Sequence, residues 1–227
     1  MPDLHFMTML GLGFLLGLRH ALDADHVAAV STMLAQRPDL RRSGFIGLWW
    51  GCGHTAVLLV AGVMVLALKI TIPDAVARAF ESFVGLMLVA LGIALAVILY
   101  REQWHLHAHE HDGERHVHLH DHRLGDDHVH RHGWRDSLPP LMVGMVHGLA
   151  GSAALMLVVL SAAHTVWEGM AYILLFGLGS ILGMVALGVL ISLPFFYSVS
   201  WGRYGQVALR GLASVGSIGF GMTLLFR

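Results

Sequence analysis

Long apolar segments occupy most of this chain and limit its fold more than any other feature. A helix that crosses the hydrocarbon core of a bilayer needs about 20 apolar residues. Only 13% of the 227 residues are charged and 56% are hydrophobic, with a mean hydropathy of +0.67, whereas soluble domains carry roughly a quarter charged residues. Five uninterrupted segments meet the length requirement: about 44–69, 82–100, 139–163, 169–193 and 206–226.

A further apolar segment, residues 4–34, is interrupted near its middle by ionisable side chains. Residues 19–26 read Arg-His-Ala-Leu-Asp-Ala-Asp-His, and apolar residues lie on both sides. We interpret 4–34 as one long spanning helix, continuous or interrupted. We do not expect it to be a cleaved signal peptide, because it lacks a basic start and a small-residue cleavage site. The sequence therefore predicts an all-α integral membrane protein with six transmembrane helices.

The two halves of the chain resemble each other. Residues 17–22 match residues 144–149, with His20 and His147 at the same place, and residues 50–53 match 176–179. Because each half would hold three helices, the halves would enter the membrane from opposite sides, as in the inverted repeats of many transporters. We expect three units: residues 1-100 as the first three-helix repeat, 101-137 as a polar loop, and 138-227 as the second three-helix repeat.

The predicted loop is rich in histidine. Eleven of the 17 histidines lie between residues 105 and 132, largely at alternate positions and interleaved with acidic residues. Such a segment chelates borderline metal ions, and we expect it to capture, buffer or sense them without a fixed geometry. Basic residues concentrate in this loop and in the two other connections on the same side. This distribution favours a cytoplasmic loop and both termini outside.

The ionisable run within residues 4–34 is the candidate site. Charged side chains at the bilayer centre cost roughly 2.5–3.5 kcal/mol each, so they persist where they pair, line water or bind a cation. On a continuous helix, His20, Asp23 and His26 would share one face. Imidazoles beside a carboxylate suit nickel, cobalt or zinc better than magnesium or calcium. With two further histidines at similar depth, the predicted metal ligands are His20, Asp23, Asp25, His26, His54 and His147.

Two signatures carry a resemblance to a known family. Residues 19–26 resemble the RHAxDADH motif of the nickel/cobalt transporter superfamily, which includes nickel permeases and urease-associated nickel transporters. Residues 53–57, Gly-His-Thr-Ala-Val, are similar to its GHSTVV signature. Residues 148–154 stand where permeases carry a GFDTATE-like signature, and they lack its carboxylates. The resemblance implies a transporter that carries its metal ion on these His and Asp side chains.

The resemblance implies secondary transport of nickel, with cobalt as a second substrate, across the inner membrane. The RHAxDADH motif favours uptake, and the His-rich loop, which is similar to that of the efflux branch, favours export as the alternative. An intramembrane zinc hydrolase with Asp25 as base is a third hypothesis. We expect no enzyme activity and no cofactor, since the metal ion is the substrate.

The expected partners are the metal ion, the lipid bilayer and a cytoplasmic metallochaperone that contacts the His-rich loop. The balance of 14 basic and 15 acidic residues excludes the positive surface that nucleic-acid binding requires. A homo-oligomer is a further expectation. Four glycine pairs at i, i+4 spacing fit helix packing within one chain as well as between copies.

Overall fold

The computed structural model describes residues 4–36, 39–68, 70–103, 107–111, 114–118, 137–163 and 165–227. Two short strands, β1 (His107–His111) and β2 (Glu114–His118), pair antiparallel, and a 3-10 helix spans Ser198–Trp201. Within these ranges the chain forms seven α-helices: α1 (Leu4–His20), α2 (Ala24–Leu34), α3 (Leu40–Leu68), α4 (Asp74–Gln103), α5 (Leu138–Ala162), α6 (Val166–Tyr197) and α7 (Gly202–Leu225).

The five uninterrupted apolar segments each correspond to one helix, α3 to α7. Among the described residues, α3, α4, α6 and α7 are long and apolar enough to cross a membrane. Two shorter apolar helical stretches, Phe6–His20 and Leu138–Gly151, belong to α1 and α5. The expected count of six differs from the seven helices of the described chain because segment 4–34 forms two helices.

The break between α1 and α2 falls at residues 21–23. The N–H groups of Leu22 and Asp23 donate to the carbonyls of Arg19 and His20 at 2.9 and 3.0 Å, which tightens the last turn of α1. Asp23 then adopts an extended backbone (φ −62°, ψ 146°) and becomes the N-cap residue of α2. Two helix ends, with their unpaired backbone groups, therefore lie beside the predicted ligands.

Helix α3 lies at the centre of the bundle, packed against α5 and α6, while α1 packs along α6. A Cβ atom at Gly53 would collide with the carbonyl of Leu141, and one at Gly144 would collide with the carbonyl of Trp50. Because both residues lack a side chain, α3 and α5 approach at backbone contact. This approach brings the His54 region of α3 against α5.

The i, i+4 glycine pairs face helices of the same chain. Each of these glycines, if it carried a Cβ, would lie within 3.4 Å of an atom of another helix. The pairs therefore serve packing inside one copy and give no support to a homo-oligomer. They are Gly13/Gly17, Gly47/Gly51, Gly144/Gly148 and Gly179/Gly183.

Helices α4 and α7 form a second packed pair, and α2 lies against α4, α6 and α7. The guanidinium of Arg210 donates to both carboxylate oxygens of Glu102, at 2.7 and 3.2 Å. The Ser214 hydroxyl donates to the Gly92 carbonyl at 2.8 Å. These bonds join α7 to α4. They also provide partners for polar groups whose burial without a hydrogen bond would lower the stability of the fold.

The polar connection over residues 101–137 is described only in part. Helix α4 extends through Gln103, and the two strands occupy five residues each. The expectation that the loop histidines capture metal ions without a fixed geometry concerns side chains outside the described part of the structure, and it stays a prediction. Several loop histidines lie outside the described residues: His105, His120, His122, His128, His130 and His132.

Candidate metal site

Four histidines from four helices meet inside the bundle. His20 ends α1, His26 lies in the first turn of α2, and His54 and His147 lie within α3 and α5. Their ring centroids are 4.8 Å apart for His20 and His26, 5.0 Å for His20 and His54, and 5.0 Å for His26 and His147. His26, His54 and His147 are at most 2% exposed. The fold thus gathers imidazoles that lie up to 127 residues apart in the sequence.

Hydrogen bonds determine which nitrogen of two rings is available. Nδ1 of His20 lies 2.7 Å from Oδ2 of Asp23, and Nδ1 of His147 lies 3.0 Å from the Val143 carbonyl. A carbonyl and an ionised carboxylate only accept, so Nδ1 carries the proton in both rings and Nε2 presents its lone pair. Nε2 of His20 lies 3.2 Å from Nε2 of His54. In His20 and His147, Nε2 is therefore the nitrogen that is left to bind a metal ion.

Several of these nitrogens are buried without a hydrogen bond from the described part of the chain. They are Nε2 of His147, Nδ1 of His54 and Nε2 of His26. A buried polar group without a partner costs roughly 1–3 kcal/mol. The concentration of such atoms in one place indicates a buried polar cluster whose nitrogen lone pairs a cation would satisfy.

Two carboxylates lie beside the imidazoles. Oδ1 of Asp25 accepts the backbone N–H of His26 at 2.9 Å and lies 3.2 Å from Nδ1 of the same residue. Asp23 is 54% exposed and Asp25 26% exposed. Both carboxylates stand at the N-terminus of α2, where the helix dipole favours negative charge. They supply the negative charge that would balance a divalent cation.

The structure brings all six sequence-predicted residues together. Ligand atoms of His20, His26 and His54 lie within 4.8 Å of one another, as do those of Asp23, Asp25 and His26. Of the two alternatives for residues 4–34, the interrupted helix is the one observed, so the face that a continuous helix would give to His20, Asp23 and His26 does not form, and Asp23 is left half exposed. Asp23 nevertheless lies close to His20, because its carboxylate turns back and bonds to Nδ1 of that ring.

Trp50 is a site residue whose position the sequence does not reveal. The sequence suggests an interfacial or packing role for it, yet the side chain is fully buried. Its ring lies 4.9 Å from the ring of His147 and 6.0 Å from that of His26. The sequence holds one indication of this position: Trp50 lies four residues before His54, and residues at this spacing occupy the same face of a helix.

These features define a multi-pass helical membrane protein with a polar, histidine-lined interior. A family model described as high-affinity nickel-transport protein matches residues 6–201. The urease accessory protein UreH of Bacillus sp. (strain TB-90) is 38% identical over 198 residues, which cover 87% of this chain and 82% of that protein. The chain belongs to the family of high-affinity nickel-transport proteins, a family of transporters and not of enzymes.

Two nickel transporters show shorter similarity. The high-affinity nickel transport protein of Cupriavidus necator is 39% identical over 64 residues, 28% of this chain and 18% of that protein. The nickel transporter NixA of Staphylococcus aureus is 41% identical over 66 residues, 27% of this chain and 19% of that protein. No solved structure matches the chain. The resemblance predicted from residues 19–26 is confirmed, and the zinc-hydrolase hypothesis has no support.

Proposed function

We propose that this protein is a secondary transporter that takes up Ni2+, and Co2+ as a second substrate, across the inner membrane. The convergence of four imidazoles in a buried, carboxylate-flanked cluster carries the proposal. Imidazole nitrogen suits borderline ions of this kind, whereas magnesium and calcium prefer oxygen ligands. The family model and the similar proteins named as nickel transporters support the choice of ion.

The proposed ligand set has a gradient of exposure. Asp23 is 54% exposed, His20 is 20% exposed, and His26 is 2% exposed. This gradient supports a path on which the ion meets the carboxylate of Asp23 first, loses water at His20, and then reaches the buried rings. The proposed ligands and charge-balancing groups are His20, Asp23, Asp25, His26, His54 and His147.

Alternating access in the proposed carrier would use an inverted repeat of residues 1-100 and 138-227. Contacts between α1 and α6 have counterparts between α3 and α5 at offsets of 126 and 127 residues. In each contact a glycine of one helix meets a backbone carbonyl of the other, which supports equivalent packing in the two halves. The equivalent approaches are Gly17 to Phe176 with Gly144 to Trp50, and Gly179 to Phe14 with Gly53 to Leu141.

We further propose that both termini lie outside and that the connection 101-137 lies in the cytoplasm. The distribution of basic residues in the connections supports this orientation. A cytoplasmic, histidine-rich segment would take ions that leave the buried cluster. It would then present them to a metallochaperone, which is the partner we propose for it.

Radioactive nickel flux into proteoliposomes tests the proposed function. We expect His26→Ala and His54→Ala to reduce Ni2+ flux to the level of protein-free vesicles, because each removes a buried ligand. His128→Ala, which removes one of the eleven loop histidines, is the matched control and should retain flux. Normal flux in both cluster variants would refute the proposed site.

The direction of transport needs a cellular measurement. If the protein is an importer, deleting its gene lowers cellular nickel and starves nickel enzymes of their metal. If loss of the gene instead raises cellular nickel and makes the cells sensitive to it, the protein is an exporter and the uptake proposal is wrong.

A further inference from the structure

Ser180 is a buried residue whose hydroxyl has no hydrogen bond from the described part of the chain. It lies in α6 and is 1% exposed. Another buried serine of the same helix, Ser192, is different, because its hydroxyl donates to the Val189 carbonyl at 2.7 Å. A serine within a helix can satisfy its hydroxyl in this local way. The unpaired oxygen of Ser180 therefore needs an explanation of its own.

Ser180 corresponds to a site histidine in the proposed repeat. An offset of 126 residues relates α3 to α6, and it pairs Ser180 with His54. An offset of 127 residues relates α1 to α5, and it pairs His147 with His20. In the first half, Nε2 of His20 lies 3.2 Å from Nε2 of His54. The corresponding pair of the second half is His147 and Ser180.

Aromatic contacts follow the same correspondence. The ring of Trp50 in α3 lies 4.9 Å from the ring of His147 in α5. The ring of Phe176 in α6, the counterpart of Trp50, lies 5.3 Å from the ring of His20 in α1. Ser180 follows Phe176 by four residues and therefore lies on the same face of α6. This face is the one that meets the interior imidazoles.

His147 has an unpaired nitrogen of its own. Its Nδ1 lies 3.0 Å from the Val143 carbonyl, and its Nε2 is buried without a hydrogen bond from the described residues. The corresponding pair of the second half thus contains two unpaired buried atoms, Nε2 of His147 and Oγ of Ser180. Both atoms carry a lone pair that a cation could accept.

We infer that His147 and Ser180 form a second binding position for Ni2+, related by the repeat to the one in the first half. The inference rests on the proposed function and its repeat. A hydroxyl oxygen is a poorer ligand than an imidazole nitrogen for a borderline ion, and residues 148–154 hold no carboxylate. The second position therefore binds the ion more weakly than the first, and it is the position from which the ion is released.

Moving an imidazole between the two halves tests the second position without transport. Isothermal titration of the full-length protein in detergent measures Ni2+ affinity, and H54S should lower it roughly 10–100-fold. The exchange H54S/S180H places the imidazole beside His147 and should recover most of the loss. H54S/S192H is the matched control and should recover none, because position 192 lies about three turns farther along α6. The histidine-rich loop is identical in all of these proteins, so its contribution cancels.

Nickel flux into proteoliposomes tests the release role. Ser180→Ala should leave Ni2+ affinity unchanged, because the ligands of the first half are intact, yet it should lower flux roughly tenfold. Ser180→Thr keeps the hydroxyl and should retain flux. Ser192→Ala removes a hydroxyl that bonds within its own helix, and it should change neither quantity.

The outcomes separate this inference from the proposed function. Equal flux in Ser180→Ala and Ser192→Ala would overturn the inference, and so would a loss of Ni2+ affinity in Ser180→Ala, which indicates a structural role. A folded exchange variant that binds no better than its Ser192 control would also overturn it. If the exchange variant does not fold, flux through Ser180→Ala decides. Absent flux in the wild-type protein, with affinity recovered in the exchange variant, would refute the proposed transport and leave the second position standing.

Discussion

Gly17 is one of the residues at which α1 meets α6, and it lies one turn before His20. A Cβ atom there would overlap the carbonyl group of Phe176 and would lie 2.9 Å from the backbone nitrogen of Ser180. Since nonbonded carbon atoms settle at roughly 3.5 Å or more, Gly17→Ala forces α1 away from α6 by about 1 Å. Gly11, in the same helix, has nothing within 4 Å of its own Cβ position. Gly11→Ala is therefore the matched control.

The comparison of the two variants isolates the helix contact. Both substitutions gain the same intrinsic helix preference of about 1 kcal/mol for Ala over Gly, so this term cancels. Overpacking typically costs 1–3 kcal/mol, and we expect Gly17→Ala to be less stable than Gly11→Ala by about that amount. A displacement of His20 by about 1 Å would also disrupt ligand geometry, since metal distances tolerate deviations of only ±0.2 Å.

Thermal unfolding in detergent and nickel flux in proteoliposomes measure the two effects. We expect Gly17→Ala to transport Ni2+ on the order of a hundredfold more slowly than Gly11→Ala, the loss that a misplacement of about 1 Å produces at a reacting site. Equal stability and equal flux in the two variants would refute the argument that the α1–α6 contact positions His20.

Three further predictions concern the cluster itself. Asp23→Asn keeps an acceptor for His20 but removes the charge, so Ni2+ affinity should fall roughly 10–100-fold in a titration; an unchanged affinity would contradict the role of the carboxylate. Ni2+ binding should quench tryptophan fluorescence, because the Trp50 ring lies 4.9 Å from that of a cluster histidine. Trp50→Phe should abolish most of the quenching, and Trp167→Phe, which alters a side chain 85% exposed, should not. Finally, protons compete with the metal ion for the ligand nitrogens, so affinity should fall as the solution is made more acidic; a flat profile would exclude imidazole ligation.

The positions of the helices are largely predictable from the sequence. In a bilayer, apolar segments must satisfy their backbone groups internally, which leaves the helix as the only option for chains of this pattern. The break at residues 21–23 is not predictable, because residues 4–34 fit a continuous helix as well as an interrupted one. The extended backbone of Asp23 and its bond to His20 decide between the two, and both depend on the folded surroundings.

The ionisable residues of the candidate site are predictable from the sequence, because such side chains are energetically costly at membrane depth. Their tautomers and their surroundings are not predictable. The tautomer of His147 depends on the Val143 carbonyl, and the burial of Trp50 depends on how α3 meets α5.

The proposed ligands are divided unequally between the two halves of the proposed repeat, and this division affects how the ion could be released. Five of the six ligands lie within residues 1-100, and His147 alone comes from the second half. A rocking motion between the halves would therefore separate one imidazole from the cluster and leave the others in place. Losing one ligand weakens the site without dismantling it, which suits a carrier that must bind its ion on one side and release it on the other. The absence of carboxylates at residues 148–154 fits the same reasoning, since a second anionic half-site would hold the ion after the halves had moved apart.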